Sequence, residues 1–166
     1  MTYFIIFISI IIVQRISELI LSKRNENYLK SQGAIENDKG GYKYIILMHN
    51  LFFISLIAEF IFIKRRPSEY WIILLIIFIC TQGLRYWAIF SLGKRWCTKI
   101  FVLSDSDLIK SGPYKYFKHP NYIAVIIELA IIPLLFSCYY TAIIFSILNI
   151  IVLRRRIILE EHALNI

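Results

Sequence analysis

Long apolar runs alternate with shorter polar segments along the whole chain. The runs are roughly 20 residues long, which suits a helix that crosses the hydrocarbon core of a membrane, whereas membrane β-strands are about half as long and alternate in polarity. The pattern therefore predicts an all-α integral membrane protein with about five transmembrane helices. The predicted spans are residues 3–22, 42–63, 70–92, 120–137 and 139–159.

The two predicted spans nearest the C-terminus lie close together in the sequence. Only residues 137–140 separate their apolar cores, so we expect a tight C-terminal helical hairpin. No repeat or low-complexity linker divides the chain, and its length suits one compact bundle, which predicts a single domain over residues 1–166. No Lys or Arg precedes the first run and no small-residue cleavage site follows it, which favours a retained span over a signal peptide.

Composition supports a membrane location. Hydrophobic residues make up 58% of the chain, more than a soluble domain of this size could bury. The formal net charge is +8, and in a membrane protein such an excess orients the chain and meets anionic lipid headgroups. The sequence has no nucleic-acid-binding motif, and the spacing of its three cysteines fits neither a zinc site nor a disulfide framework. We therefore expect membrane lipids as partners, and neither nucleic acid nor metal.

The basic residues are divided unequally between the two ends of the predicted spans. Five Lys or Arg fall in residues 23–43, six in 94–118 and three in 154–156, and five spans place all fourteen on one side. The opposite side carries only the three basic residues 64–66. The positive-inside rule then predicts an outside N-terminus and a cytoplasmic C-terminus in a multi-pass membrane protein.

Every predicted span carries polar side chains that hydrocarbon would exclude. A charge at mid-bilayer costs about 3 kcal/mol on insertion scales. One explanation is a structural network of interhelical ion pairs, which is favoured for Gln14, Arg15 and Glu18. The other is a polar cavity open to the cytoplasmic face. The candidate substrate-binding residues of such a cavity are His49, Asn50, Glu59, Glu128 and Asn149.

The segment between the third and fourth spans ends in two turns and a helix start. Residues 104–107 read Ser-Asp-Ser-Asp and predict one turn, and residues 111–113 read Ser-Gly-Pro and predict another. Pro120 then stands at the first turn of a helix, where proline is tolerated, and His119 lies near the N-cap.

Polar residues near the C-terminus recur at helical spacing. Asn149, Arg156 and Glu160 lie seven and four residues apart, so they share one helical stripe, and Arg156 can pair directly with Glu160. Glu161 is turned about 100° away. The helix dipole disfavours a carboxylate pair at this end, so a function that needs negative charge would explain the two acids. A solvated helix end is the structural alternative.

Two short motifs resemble those of a known family. The first, GPYKYFKHPNY, covers residues 112–122, and the second, RIILEE, covers residues 156–161. Together they are similar to the signature of the isoprenylcysteine carboxyl methyltransferase family, which is usually written Arg-His-Pro-x-Tyr followed by Glu-Glu. Lys118 stands here in place of the arginine. Motifs such as QRISEL at residues 14–19 and LRYW at 84–87 resemble a small bacterial branch of that family.

The resemblance implies a methyltransferase that uses S-adenosylmethionine (SAM) in a pocket at the cytoplasmic face. Carboxylates suit the ammonium and ribose hydroxyls of SAM, and an aromatic face suits its sulfonium. The implied SAM-binding residues are Tyr114, His119, Pro120, Tyr122, Glu160 and Glu161. Arg85 and Arg156 are the candidate catalytic residues because each could steady an anionic acceptor, although a structural ion pair explains each about as well.

The bacterial branch also suggests the methyl acceptor. Some of its members O-methylate long-chain alkylpyrones or phenolic lipids, which implies a lipophilic small-molecule substrate that reaches the cavity laterally from the membrane. The family signature is shared with phospholipid N-methyltransferases, so a lipid amine is an alternative acceptor, as is a carboxylate of the prenylcysteine type. A non-enzymatic assembly or transport subunit, whose buried charges are purely structural, is the alternative from another class. SAM binding distinguishes that class from the enzymes.

Overall fold

Five α-helices account for most of the protein. The computed structural model describes residues 1–38, 40–103 and 109–164. The predicted turn at residues 104–107 lies outside these residues. The helices are α1 (Thr2–Ser31), α2 (Tyr42–Phe62), α3 (Trp71–Leu92), α4 (Pro120–Leu135) and α5 (Tyr139–Leu164). The prediction of an all-α membrane protein with five helices and a C-terminal hairpin is confirmed.

The helices differ in how well they suit a membrane span. By length and composition α1, α2 and α3 are apolar enough to cross a membrane. Helix α4 is apolar but has only 16 residues, and α5 includes the basic run at residues 154–156. That α4 and α5 also cross the membrane stays a prediction.

Helix α1 continues nine residues past its apolar run. Glu26 pairs with Lys23 at 3.2 Å and with Lys30 at 2.5 Å, which are one turn away on either side and support the helix beyond the hydrophobic stretch. Asn25 is buried, and its Nδ2 donates to the carbonyl oxygen of Trp96 at 2.7 Å. The polar end of α1 therefore anchors the segment that follows α3.

A two-stranded antiparallel sheet joins the loops at this end of the bundle. Strand β1 (Ile35–Glu36) pairs with β2 (Phe101–Val102). Lys99 contacts Glu36 at 3.2 Å and Glu26 at 3.4 Å. Although burial opposes it, these two carboxylates raise the pKa of Lys99, so the cation holds the sheet against α1. This sheet and the 3₁₀ turns at Gly93–Arg95 and Gly112–Lys115 give regular structure to part of the segment between α3 and α4.

Aromatic side chains fill the opposite end of the bundle. The ring of Phe4 stacks on Phe60 with centroids 3.8 Å apart and meets Phe136 edge-on at 4.8 Å. The rings of Phe52 and Phe145 meet edge-on at 5.6 Å and join α2 to α5. The bundle is therefore largely aromatic at one end, while most of its buried polar groups lie toward the end that carries the sheet.

Candidate functional site

A cavity of about 570 Å³ opens at the end of the bundle that carries the sheet. Its walls come from the middle of α1, the start of α2, the end of α3, the start of α4 and the end of α5, together with described residues of the segment between α3 and α4. Cavities of this size hold cofactors and drug-sized ligands. The fold thus gathers residues from all five helices around one space.

One wall of the cavity carries a hydrogen-bonded chain of three side chains. Arg156 Nε donates to the hydroxyl oxygen of Tyr122 at 2.7 Å, and that hydroxyl donates to Glu160 Oε2. Arg156 Nη2 also donates to the carbonyl oxygen of Thr98 at 2.5 Å. The sequence suggested a direct pair between Arg156 and Glu160, but Tyr122 stands between them, because its hydroxyl accepts from the cation and donates to the anion at once.

His119 joins this wall to the end of α5. Its ring stacks on that of Tyr122 with centroids 5.3 Å apart and an angle of 16° between the planes. Its Nε2 donates to Glu161 Oε1 at 3.3 Å, and Lys118 lies 3.5 Å from the same oxygen. The hydrogen bond from His119 and the charge of Lys118 lower the pKa of Glu161. Glu161 is therefore an ionised partner that orients His119, and it is not among the cavity-lining residues.

The turn before α4 brings Tyr114 into the same wall. Gly112 has a φ of +57°, a conformation that a glycine adopts without strain, and a side chain there would collide with Ser91. The 3₁₀ turn that follows places Tyr114 at the cavity. Burial, reinforced by the nearby Glu160 carboxylate, raises the pKa of Tyr114. Its phenol is therefore a neutral hydrogen-bond donor at physiological pH.

Two arginines and two glutamates form a network at the inner side of the cavity. Arg85 Nε donates to Glu128 Oε1 at 2.7 Å, and its Nη1 lies 3.4 Å from Glu18 Oε2. Arg15 bonds both carboxylates, at 2.7 Å for Glu18. Gln82 Nε2 donates to Glu128 Oε1 at 2.7 Å. The two positive charges balance the two negative charges, as buried charges require. Three members of this network, Arg15, Glu18 and Arg85, line the cavity.

Two asparagines at the cavity keep buried polar atoms without a protein partner among the described residues. They are both amide atoms of Asn149 and Oδ1 of Asn121. Asn149 is only 1% exposed. Leaving such groups unbonded costs about 1–3 kcal/mol each, so they are suited to the polar groups of a ligand.

The structure brings most of the residues predicted for the site to this cavity. Those that line it are Tyr114, His119, Tyr122, Glu160, Arg85, Arg156, His49, Asn50 and Asn149. Pro120 is buried at the first position of α4 and sets the start of that helix. Glu128 lies behind the wall, bonded to Arg85 and Arg15.

Glu59 lies elsewhere, which corrects its placement in a substrate site. Its Oε2 accepts from the backbone nitrogen and the hydroxyl of Thr141, both at 2.8 Å, and Arg65 lies 3.1 Å from Oε1. The carboxylate therefore caps the N-terminus of α5, where backbone N–H groups lack helical partners. This end of the bundle is opposite the cavity, because α2 begins at the cavity and Glu59 lies in its last turn.

Some residues at the cavity were not predicted from the sequence. The hydroxyl of Ser22 accepts from the backbone nitrogen of Thr98 at 2.9 Å, and Thr98 Oγ1 donates to the Tyr42 hydroxyl at 2.9 Å. These bonds hold the segment after α3 against the cavity, where the carbonyl oxygen of Thr98 accepts from Arg156. Asn121 was within reach of sequence reasoning, since it lies inside the His-Pro-Asn-Tyr motif. Thr98 was not, because only tertiary contacts place it.

Comparison with known proteins identifies relatives of this chain. Residues 72–166 match the model of the isoprenylcysteine carboxyl methyltransferase (ICMT) family. The chain is 47% identical over 162 residues to YpbQ of Bacillus subtilis (strain 168), described as an uncharacterized protein, covering 98% of this chain and 96% of YpbQ. It is 30% identical over 156 residues to an uncharacterized protein of Haemophilus influenzae, covering 93% and 91% of the two chains. No solved structure matches.

Proposed function

Because the chain belongs to the isoprenylcysteine carboxyl methyltransferase family, whose members are membrane methyltransferases, we propose that it is a SAM-dependent O-methyltransferase acting on a lipophilic acceptor. The observation that carries the proposal is the Arg156–Tyr122–Glu160 chain, which lies beside His119 in the wall of a ligand-sized cavity. The two family motifs thus meet at one place in the fold.

The residues of this wall fit the chemistry of SAM. Glu160 suits the ammonium or the ribose hydroxyls of SAM, and Arg156 suits its carboxylate. The stacked rings of Tyr122 and His119 offer an aromatic face to the sulfonium. Oδ1 of Asn121, which has no partner in the part of the chain that the structure describes, supplies a further acceptor. SAM, when bound, supplies an electrophilic methyl group, so the protein must orient the acceptor and keep water away.

An opening between α1 and α2 supports a lipophilic acceptor. Leu19 of α1 and Ile46 of α2 both line the cavity, yet they are 48% and 44% exposed. Asn50 lies at the same opening and is also exposed. Apolar side chains that face both the cavity and the surrounding bilayer suit an acyl chain, while the polar inner walls suit a head group. We infer that the acceptor enters laterally through this opening.

The cavity also suits the cytoplasmic face of the membrane, where SAM is available. The basic segments counted above lie at this end of the bundle, and the positive-inside rule favours the cytoplasm for them. We therefore place the C-terminus in the cytoplasm and the protein in the bacterial plasma membrane. Arg85 bonds the carboxylates of Glu128 and Glu18, so it orients the inner wall, whereas Arg156 belongs to the wall that we propose for SAM.

One experiment tests both the reaction and the acceptor class. The purified protein is incubated with methyl-labelled SAM and a total bacterial lipid extract, with the Glu160→Gln variant as a control. We expect label in a lipid that survives mild alkali, as an aryl or enol ether does. Alkali-labile label would indicate O-methylation of a carboxylate instead of a hydroxyl, whereas label on a lipid amine would indicate N-methylation and overturn the proposed O-methyl transfer. No label in any lipid would favour a non-enzymatic membrane subunit.

A further inference from the structure

His49 occupies a position in the cavity that suits a proton acceptor. Its Nδ1 lies 2.8 Å from the carbonyl oxygen of Ile45, one turn earlier in α2. A carbonyl oxygen only accepts, so Nδ1 carries the proton and the neutral ring keeps its lone pair on Nε2. Because Nδ1 is turned back to the helix, Nε2 lies on the edge of the ring that points away from the α2 backbone.

The register of α2 on α5 places Asn149 at the level of His49. The hydroxyls of Ser55 and Thr141 are 2.9 Å apart, and the rings of Phe52 and Phe145 meet one turn further along these antiparallel helices. One more turn of each helix brings Asn149 opposite Met48 and His49. Both residues line the cavity, and neither amide atom of Asn149 has a partner among the described residues.

We propose that His49 is the general base of the reaction and that Asn149 positions the head group of the acceptor, an inference that rests on the proposed function. The acceptor hydroxyl gives its proton to His49 Nε2 while its oxygen bonds to the methyl carbon. The electron pair of the broken carbon–sulfur bond stays on sulfur, so the positive charge passes from the sulfonium to the imidazolium. The imidazolium then releases its proton to water.

The charged side chains near His49 are already paired with one another, so they do not compete with it as proton acceptors. Arg15 and Glu18 of α1, Arg85 of α3 and Glu128 of α4 neutralise one another. On α5, Glu160 accepts from Tyr122, and Arg156 donates to Tyr122 and Thr98. His49 thus offers a lone pair beside inner-wall charges that are already compensated. A general base here suits a hydroxyl acceptor, which has a proton to give, and not a carboxylate, which has none.

The kinetic test compares acceptors of graded acidity. The rate of methyl transfer to long-chain phenols, which share one tail and differ in their ring substituents, is measured for the wild type and for the His49→Gln and His162→Gln variants. His162 is exposed on α5 and is not among the cavity-lining residues, so it controls for loss of an imidazole. We expect His49→Gln to lose roughly 100-fold or more with weakly acidic phenols, the usual range for a general base. The loss should shrink toward unity for a nitrophenol that is already ionised, while SAM affinity stays unchanged.

An equal loss for every phenol would overturn the base role, and so would no loss for any of them. Both outcomes leave the proposed function intact. Absence of SAM binding in the wild type would instead overturn the proposed function itself.

A binding test needs no SAM. A long-chain nitrophenol is bound to the detergent-purified protein, and its ionisation is followed by the visible absorption of the phenolate. We expect the pKa of the bound phenol to rise by about one unit in His49→Gln, a tenfold change in its ionisation constant, and to stay unchanged in His162→Gln. Asn149→Leu should weaken binding of the probe without moving its pKa. Identical titrations in the wild type and His49→Gln would overturn the proposal.

Discussion

At the scale of single residues, the Tyr122 hydroxyl connects the two family motifs. It accepts from Arg156 Nε at 2.7 Å and donates to Glu160, so a single oxygen fixes a cation and an anion of the cavity wall that we propose for SAM. Hydrogen bonds to charged groups contribute more than neutral ones, about 1.5–3 kcal/mol each. On that proposal, we expect Tyr122 to influence SAM binding through the placement of both charges as well as through its ring.

Tyr122→Phe removes this oxygen and keeps the ring. We expect SAM to bind roughly 10- to 150-fold more weakly, which corresponds to the loss of about 1.5–3 kcal/mol, because Arg156 and Glu160 lose their common partner. Isothermal titration calorimetry in detergent measures the affinity. Tyr116→Phe is the matched control, since Tyr116 is 69% exposed and lies in the same segment. Equal affinities of the Tyr122→Phe variant and the wild type would show that the hydroxyl does not organise the site.

The two adjacent glutamates should differ in importance. Glu160 lines the cavity and bonds Tyr122, whereas Glu161 contacts His119 and Lys118 behind the wall. We expect Glu160→Gln to reduce methyl transfer by at least tenfold more than Glu161→Gln, as a charge that meets the cofactor is lost in one variant and an orienting contact in the other. Parallel assays with labelled SAM decide the order, and a larger loss for Glu161→Gln would mean that α5 faces the cofactor differently.

At the scale of secondary-structure elements, hydropathy predicts the helices but not their polar ends. The apolar runs place five helices, yet α1 and α5 continue beyond them to Ser31 and Leu164. Hydropathy falls where charges begin, whereas the helix continues because Glu26 pairs with lysines one turn away. The strands β1 and β2 have two residues each, too few for any alternating pattern, so only the folded structure places them.

The same limit explains which site residues the sequence predicted. The His-Pro turn and the glutamate pair stand out because polar residues are rare beside apolar runs. Glu59 stands out for the same reason, but its partner is the start of α5, which lies more than 80 residues away in the chain. A buried charge is therefore visible in the sequence, whereas the distinction between a helix cap and a ligand contact depends on tertiary structure.

Glu59→Gln tests that distinction. We expect a loss of about 1–2 kcal/mol in the free energy of unfolding, typical of a lost helix cap, with SAM affinity unchanged. Thermal unfolding in detergent and calorimetry give the two values. Glu69→Gln, an exposed carboxylate in the loop before α3, should change neither. If Glu59→Gln kept full stability but lost acceptor methylation, the carboxylate would belong to the substrate site after all.

At the scale of the whole molecule, the bundle separates two environments. Stacked phenylalanines fill one end, and the ion network, the cavity and the small sheet occupy the other. We propose that the acceptor enters between α1 and α2, with its tail in the bilayer and its head group against the polar wall. On this proposal the membrane concentrates and orients the substrate before binding.

Chain length of the acceptor should therefore govern the rate. Each methylene adds about 0.8 kcal/mol to membrane partitioning, so phenols with long tails should be methylated far more efficiently than short ones with the same head group. The comparison is made in liposomes at equal total acceptor concentration. A water-soluble phenol with the same head group serves as the control, since it separates the effect of membrane partitioning from the reactivity of the head group. Equal efficiency for short and long tails would contradict lateral access from the membrane.

Binding of SAM to the purified protein is the measurement that tests the central claim most directly. Thermal unfolding and calorimetry are carried out in detergent with SAM and with its demethylated product. A ligand at a hundredfold excess over its Kd stabilises the folded state by about 2.7 kcal/mol, so we predict a clear rise in Tm with either compound, a measurable heat of binding, and the loss of both in Glu160→Gln. Unchanged unfolding and no heat of binding with either compound would contradict the assignment of the cavity to SAM.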